Sequence, residues 1–323
     1  MLVDAHGRRI EYLRLSVTDR CDLRCRYCMP PDFADYEPPA DWLTFDEIER
    51  LTRVFIGLGI GRVRLTGGEP LLRGRIAELA ARLKRHPGLI DLSLSTNGTR
   101  LAELAPALRK SGVDRLNVSL DTLSPRRFAE ITGRDALVRV LAGLDAAVQA
   151  GFRFIKINMV VQGDTADEEI DGMAGYCAER DFVLRLIEGM PVGDTGRAAG
   201  FRDLRPIQRR LRARFGLVDG VVPGGGPARY LTSPDRRFRI GFITPMSQHF
   251  CAACNRVRLS VDGTMHLCLG QDAKVDFRSL LRNGASDADI EAALRAGLSA
   301  KPERHEFHEV PKRIVRVMAA TGG

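Results

Sequence analysis

The sequence predicts an α/β protein built on a parallel sheet, with a smaller α+β region towards its C-terminal end. Three observations predict it: six short β-rich runs, the helical patterns between them, and a change of pattern near Gly220. The β-rich runs are Tyr12–Val17, Arg62–Thr66, Leu92–Thr96, Arg115–Leu120, Phe154–Val160 and Val183–Glu188. Helical periodicity fills Asp46–Leu58, Ile76–Arg85, Ala102–Lys110, Leu137–Ala150 and Asp167–Arg180. Thr44, three residues ahead of Glu47, reads as a capping box opening the first of these helices. Parallel neighbours need crossover connections, so this alternation implies a parallel sheet. Six units fall short of the eight that close a TIM barrel, and a doubly wound open sheet fits the same pattern. The stretch Val221-Val222-Pro223-Gly224-Gly225-Gly226-Pro227 is rich in breakers. Hairpin-like runs follow at Arg237–Ile243 and Arg256–Val261, with a turn at Asp262-Gly263 before Met265–Leu267. The expected division is therefore a domain over residues 1–220 and a second over 221–323.

No apolar stretch approaches the length needed to span a bilayer. Met1–His6 lacks the charged-then-apolar layout of a signal peptide, so a soluble, cytoplasmic protein with no membrane partner is expected. A net charge of +8 invites a nucleic-acid reading. Against it, only six of the 49 basic residues are lysines, the arginines are spread along the whole chain, and no nucleic-acid-binding motif accompanies them. An arginine excess also suits a polyanionic small molecule, because guanidinium pairs with phosphate bidentately.

The cysteines carry more information. Six of the seven form two groups, Cys21-x3-Cys25-x2-Cys28 and Cys251-x2-Cys254-x13-Cys268, while Cys177 stands alone in a helical pattern as a small buried hydrophobe. Clustered cysteines without an export signal point to metal rather than disulfides. Three thiolates on the loop after the first strand suit three corners of an iron–sulfur cubane. The fourth iron is then open to the amino and carboxylate groups of S-adenosylmethionine. A structural zinc would need a distant fourth ligand such as His6. For the second group, His249 and His266 each lie two residues before a cysteine. A Cys3His zinc and a second cluster both fit that spacing.

The surroundings add to this reading. Tyr27 lies between two cysteines of the first group, where its ring could pack on an adenine. Thr66-Gly67-Gly68-Glu69-Pro70 follows the second strand, and adjacent glycines let backbone approach a ligand or simply make a tight turn. Arg256 and Arg258 point to one face of a strand, either as an anion site or as a solvated edge. Arg14, Arg64, Ser95, Asn117, Ser119, Lys156, Asn158 and Arg185 are polar residues inside or at the ends of predicted strands, where α/β proteins place their sites. Lys156, flanked by Ile155 and Ile157, is the hardest to read as a surface residue.

These segments resemble the GTP 3′,8-cyclases of the radical S-adenosylmethionine superfamily, which open molybdenum-cofactor biosynthesis. The resemblance runs through Tyr12–Cys21, Cys25–Pro30, Val63–Pro70, Ser95–Gly98, Asn117–Asp121, Lys156–Asn158, Arg185–Met190, Phe250–Leu259, His266–Leu269 and Gly322-Gly323. It implies a partial (β/α)6 TIM-like barrel whose open side is covered by the C-terminal domain. It implies two [4Fe–4S] clusters, one on Cys21, Cys25 and Cys28 and one on Cys251, Cys254 and Cys268, with Tyr27, Gly68, Ser119 and Met190 at S-adenosylmethionine. Arg14, Arg64, Ser95, Lys156, Arg256, Val257 and Arg258 match positions lining the GTP site, with Ser95 where the family usually has threonine. Arg14, Arg256, Arg258 and the terminal Gly322-Gly323 are the expected catalytic set. The implied chemistry is reductive cleavage of S-adenosylmethionine, removal of the ribose 3′ hydrogen of GTP, and closure onto C8 of the same guanine. The expected partners are GTP, a reductant such as flavodoxin or ferredoxin, and a downstream cyclic pyranopterin monophosphate synthase; a homodimer is compatible with all of these. The rival readings are a peptide-modifying radical enzyme with an auxiliary cluster and a zinc-stabilised nucleic-acid-binding protein. No segment reads as a peptide groove or leader-binding module.

Overall fold

A computed structural model describes residues 1–307, 309 and 318. Strands β1 (Tyr12–Ser16), β2 (Arg62–Thr66), β3 (Asp91–Thr96), β4 (Arg115–Ser119), β5 (Ile155–Val161) and β6 (Val183–Glu188) pair in chain order, all parallel. Helices α1 (Phe45–Gly57), α2 (Ile76–Lys84), α3 (Leu101–Lys110), α4 (Pro125–Thr132), α5 (Leu137–Gln149) and α6 (Asp167–Glu179) make the crossovers. The chain continues through α7 (Gly193–Ala198), α8 (Leu204–Phe215), β7 (Val218–Gly220), β8 (Arg229–Thr232) and β9 (Arg239–Ile243). Among the described residues β10 (Arg256–Leu259), β11 (Thr264–His266), β12 (Lys274–Asp276), α9 (Phe277–Arg282) and α10 (Asp287–Ser299) follow.

Alternation along the strands explains why they form and where they bury. Leu13, Leu15, Val63, Leu65, Leu92, Leu94, Leu116, Val118 and Ile157 are fully buried. They join helix residues such as Leu51, Phe55, Leu79, Leu108 and Leu144 in one core. The residues between them face the other side and are polar, which is the pattern of a sheet whose two faces meet different surroundings. Cys177 sits fully buried in the same core. The capping box at α1 is present: Glu47 N donates to Thr44 Oγ1 at 3.2 Å and Thr44 N donates to Glu47 Oε2 at 2.7 Å.

The C-terminal region extends the same sheet at both ends. Strand order is β12-β11-β10-β1-β2-β3-β4-β5-β6-β9-β8-β7, so the barrel is partial and not closed. The hairpin-like runs Arg237–Ile243 and Arg256–Val261 each enter an antiparallel pair, β9 with β8 and β10 with β11, while their other edges lie parallel to β6 and β1, at opposite ends of the parallel array. The free edges of β1 and β6 each take a partner, and edge pairing between stretches this far apart in the chain leaves no local signal. The turn before β11 does form as expected: β10 and β11 are antiparallel, with Ser260 N donating to Thr264 O at 2.9 Å. Among the described residues no helix is long and apolar enough to cross a membrane.

Candidate active site

Strand register assembles the wall of the site. β10 pairs with β1 so that Arg256 stands beside Tyr12 and Arg258 beside Arg14; β1 pairs with β2 so that Arg14 stands beside Arg64. Tyr12, Arg14, Arg64, Arg185, Arg256 and Arg258 all line one cavity of about 340 Å³. Burial, then the neighbouring Arg258 and Arg64 charges, holds Arg14 well below the usual arginine range. Arg185 is pushed down to about 10 by burial, and donates to Asn158 Oδ1 at 2.8 Å and Asn117 Oδ1 at 2.6 Å. Arg64 and Arg256 flank the Tyr12 ring at 5.3 and 5.9 Å. Guanidiniums gathered in a partly desolvated wall repel one another, and a polyanion relieves that repulsion.

The first cysteine group follows β1 on a loop tied down at several points. Arg24 N and Arg26 N donate to the Thr132 and Ile131 carbonyls at 2.8 and 2.9 Å, and Asn97 Nδ2 lies 3.8 Å from Cys21 Sγ. The Gly67-Gly68 turn docks directly on the approach to this loop. Gly68 N donates to Thr18 O at 2.8 Å and Glu69 N to Arg20 O at 2.7 Å. A Cβ at Gly68 would sit 2.2 Å from Arg20 O, so only glycine allows the approach. Fully buried Glu69 then accepts from Leu71 N, Thr96 Oγ1 and Asn97 N at 3.0, 2.7 and 2.6 Å. Burial raises it to about 7 against those hydrogen bonds. Burial likewise pushes the Cys21 thiol up to about 12, with the Glu69, Cys28 and Asp22 charges adding to it, and Cys25 well above its usual range. Such thiols ionise only when a cation joins them.

The second group opens onto the same cavity, so all six grouped cysteines line it, and none of the seven cysteines is in a disulfide. Cys251 is held through its carbonyl by Arg8 Nη1 at 3.0 Å, and Arg8 is itself paired to Asp4 at 2.6 Å. Burial raises Cys268. For Cys254 burial acts the same way, but the Lys301 and Arg256 charges outweigh it and hold the thiol below its usual range. His249 and His305 place ring nitrogens near Cys251 Sγ, all within 4.8 Å of one another. His266, the other histidine beside this group, does not line the cavity. Six thiols outside any disulfide, converging on one cavity, are a soft donor set suited to iron–sulfur clusters.

The structure therefore gathers most of the sequence-predicted residues. Tyr27, Gly68, Ser119, Met190, Arg14, Arg64, Ser95, Arg256 and Arg258 all line the cavity with the cysteines. Two do not. Val257 alternates out of the wall and is fully buried in the apolar core. Lys156 is buried beyond the lining, with Nζ donating to Pro223 O and to Tyr230 Oη, each at 3.1 Å. Burial and the Arg185, Arg115 and Arg64 charges lower it to about 6. The glycine-rich stretch read as a breaker is thus part of the site: Pro223 O accepts from both Lys156 and Arg115, and Gly226 and Pro227 line the cavity. Gly322 and Gly323 lie outside the described residues. Sequence reasoning passed over Tyr12, Asp121 and Glu69. Tyr12 shares a strand face with Arg14, which was a usable signal. Asp121, raised to about 6 by burial, accepts from Tyr27 Oη at 2.8 Å and Val160 N at 2.8 Å, a contact visible only in three dimensions.

Residues 15–177 match the model of the Radical SAM superfamily, and residues 182–307 match that of Molybdenum Cofactor Synthesis C. Along its whole length the chain is 45% identical to the GTP 3′,8-cyclase of Ectopseudomonas mendocina, covering 98% of that protein. It is 44% identical to GTP 3′,8-cyclase 1 of Pseudomonas aeruginosa over 99% of both chains. The chain belongs to the GTP 3′,8-cyclase family. Membership of the radical SAM superfamily makes S-adenosylmethionine and [4Fe–4S] clusters the cofactors of this cyclase-family chain. Among solved structures, Streptococcus suis SuiB bound to S-adenosylmethionine superposes with a TM-score of 0.62 at 18% identity, covering 90% of this chain and 68% of that one. SuiB bound to precursor peptide SuiA gives a TM-score of 0.64 at 17% identity over 97% and 76%. At such identity the likeness is one of fold alone.

Proposed function

We propose that this chain converts GTP to (8S)-3′,8-cyclo-7,8-dihydroguanosine 5′-triphosphate, the first step of molybdenum-cofactor biosynthesis. The observation that carries the reading is the convergence of both cysteine groups and the arginine wall on one cavity. In this reading Cys21, Cys25 and Cys28 hold the cluster that meets S-adenosylmethionine, and Cys251, Cys254 and Cys268 hold a second one. When bound, the first cluster and S-adenosylmethionine supply one-electron cleavage of a carbon–sulfur bond. Tyr27, Gly68, Ser119 and Met190 bind that cosubstrate, with Tyr27 oriented by Asp121. Arg14, Arg64, Arg256 and Arg258 take the triphosphate, Ser95 offers a hydroxyl, and Val257 contributes main chain only. Lys156 joins when the Pro223 carbonyl gives way to phosphate. Holding the substrate rigidly and away from bulk water is the chain's own contribution to selectivity.

The same reading gives the two parts of the chain separate tasks. Residues 1–220 carry the first cysteine group and 221–323 the second. Met318 lines the cavity, which supports a role for the tail and for Gly322 and Gly323 in the reaction. A flavodoxin or ferredoxin as reductant, a cyclic pyranopterin monophosphate synthase as recipient, a homodimer and a cytoplasmic location belong to this proposal as well.

The test is anaerobic turnover of reconstituted protein with dithionite and S-adenosylmethionine, with and without GTP, reading 5′-deoxyadenosine and new GTP isomers by mass spectrometry. Stimulation by GTP together with a new isomer is the expected result. Cleavage indifferent to GTP overturns the substrate; no cleavage by fully loaded protein overturns the reaction class.

A further inference from the structure

Lys301, just beyond α10, is 2% exposed. Its Nζ donates to Arg256 O at 3.1 Å and to Leu267 O. Arg256 comes two residues after Cys254, and Leu267 immediately precedes Cys268, so one ammonium fastens both arms of the second cysteine group. Both partners are neutral carbonyls, and among the described residues no carboxylate is paired with Lys301. A buried ammonium without a counter-ion is costly unless a negative charge comes to it. Arg8, the other buried cation touching this group, is already neutralised by Asp4, 2.6 Å away. Arg256 lies on the cavity side of the group, so Lys301 is the fixed positive charge on its buried side. The first group has carboxylates among its neighbours: Asn97, whose Nδ2 lies 3.8 Å from Cys21 Sγ, donates to Asp22 and Glu69 at 2.7 and 2.6 Å, and Tyr27 donates to Asp121 at 2.8 Å, while Arg24 reaches the Cys21 carbonyl at 3.3 Å.

We propose that Lys301 is the built-in counter-charge of the second cluster and raises its reduction potential above that of the first. This rests on the reading that Cys251, Cys254 and Cys268 hold a cluster. Net charge and buried polar groups around the thiolates are among the levers that set such potentials. Reduction adds one negative charge to the cluster, and a fixed cation nearby favours the reduced form.

The experiment is an EPR-monitored redox titration of fully loaded protein without S-adenosylmethionine or GTP. Signals of the first cluster are assigned from Cys268→Ser, which keeps that cluster. Wild-type protein is expected to show the second cluster reduced at the higher potential. Lys301→Met is expected to shift that potential downward with the first unmoved, and Lys301→Arg to restore it. A Lys301→Met protein with roughly eight irons per chain, as two cubanes require, and unshifted potentials overturns the inference. So does a wild-type second cluster at or below the first, a comparison that stands even if Lys301→Met fails to fold. If wild-type and Cys268→Ser proteins hold the same iron, the second-cluster reading itself is wrong, and this inference falls with it.

Discussion

Lys156 combines a buried position with partners that cannot neutralise it, and it titrates accordingly. It is held at about 6 rather than its ordinary 10.5, so near pH 7.5 it is mostly neutral in the ligand-free protein. In the proposed site Lys156 pairs with phosphate, which requires the charged form, so GTP binding is expected to take up a proton. Affinity is expected to fall as pH rises from 6 to 8, by at most about tenfold per unit for one proton. Calorimetry in buffers of different ionisation enthalpy reads the uptake directly, and Lys156→Gln removes it. An unchanged proton count in the variant would show that another group carries the linkage. In the ligand-free chain the unfolded state binds the extra proton between about 6 and 10.5, so native stability rises with pH across that window. Tyr12 makes a second residue-scale case. Its Oη is buried and has no hydrogen-bond partner among the described residues, between the Arg64 and Arg256 guanidiniums. Tyr12→Phe removes an unsatisfied hydroxyl, so the ligand-free protein should gain about 1 kcal/mol and melt higher. If the hydroxyl contacts GTP, KM rises in the same variant; a lowered Tm contradicts the unsatisfied-group argument.

At the scale of elements, the turn after β2 and the loop after β1 behave as one unit because their backbones interlock. Gly68→Ala drives a methyl into Arg20 O, an overpacking cost of about 1–3 kcal/mol. The cysteine loop cannot keep its place against that clash, so the variant is expected to lose the iron of the first cluster and retain that of the second. Iron analysis and S-adenosylmethionine cleavage measure both, and normal loading of the first group contradicts the argument. A useful contrast is Thr44→Ala, which removes the hydroxyl of the α1 capping box, outside the cysteine-lined cavity. Its cost should be about 1 kcal/mol in thermal or urea unfolding, with cluster content untouched. The elements were also the most legible level of the sequence. Runs such as Arg62–Thr66 and Val183–Glu188 and the Thr44–Glu47 box depend on period and neighbouring side chains alone. Helix α4 carries its own start and stop signals in Ser124, Pro125 and Gly133, yet it is short and lies between two stronger patterns. Strand β8 is short as well, and its exposed Arg229 gave little alternation to read.

Taken as a whole molecule, the fold puts two distant stretches of chain on either edge of one sheet. Residues 221–323 supply β10 against β1 and β9 against β6. Residues 1–220 expressed alone would leave both of those edges bare, and bare parallel edges invite aggregation. Such a fragment is expected to elute in the void volume on size-exclusion chromatography; a monodisperse, folded fragment would contradict that dependence. By itself the sequence determined the strands and helices, the parallel sheet, the inward-facing polar residues and the two cysteine groups, because periodicity and ligand spacing are properties of neighbours. Tertiary structure alone decided that both groups share one cavity, that Arg256 and Arg258 complete a wall begun by Arg14 and Arg64, and that Val257 and Lys156 stand outside it. Those outcomes follow from which edge a strand joins and in what register. That choice balances free sheet edges and buried area across the entire chain, and no local segment encodes it.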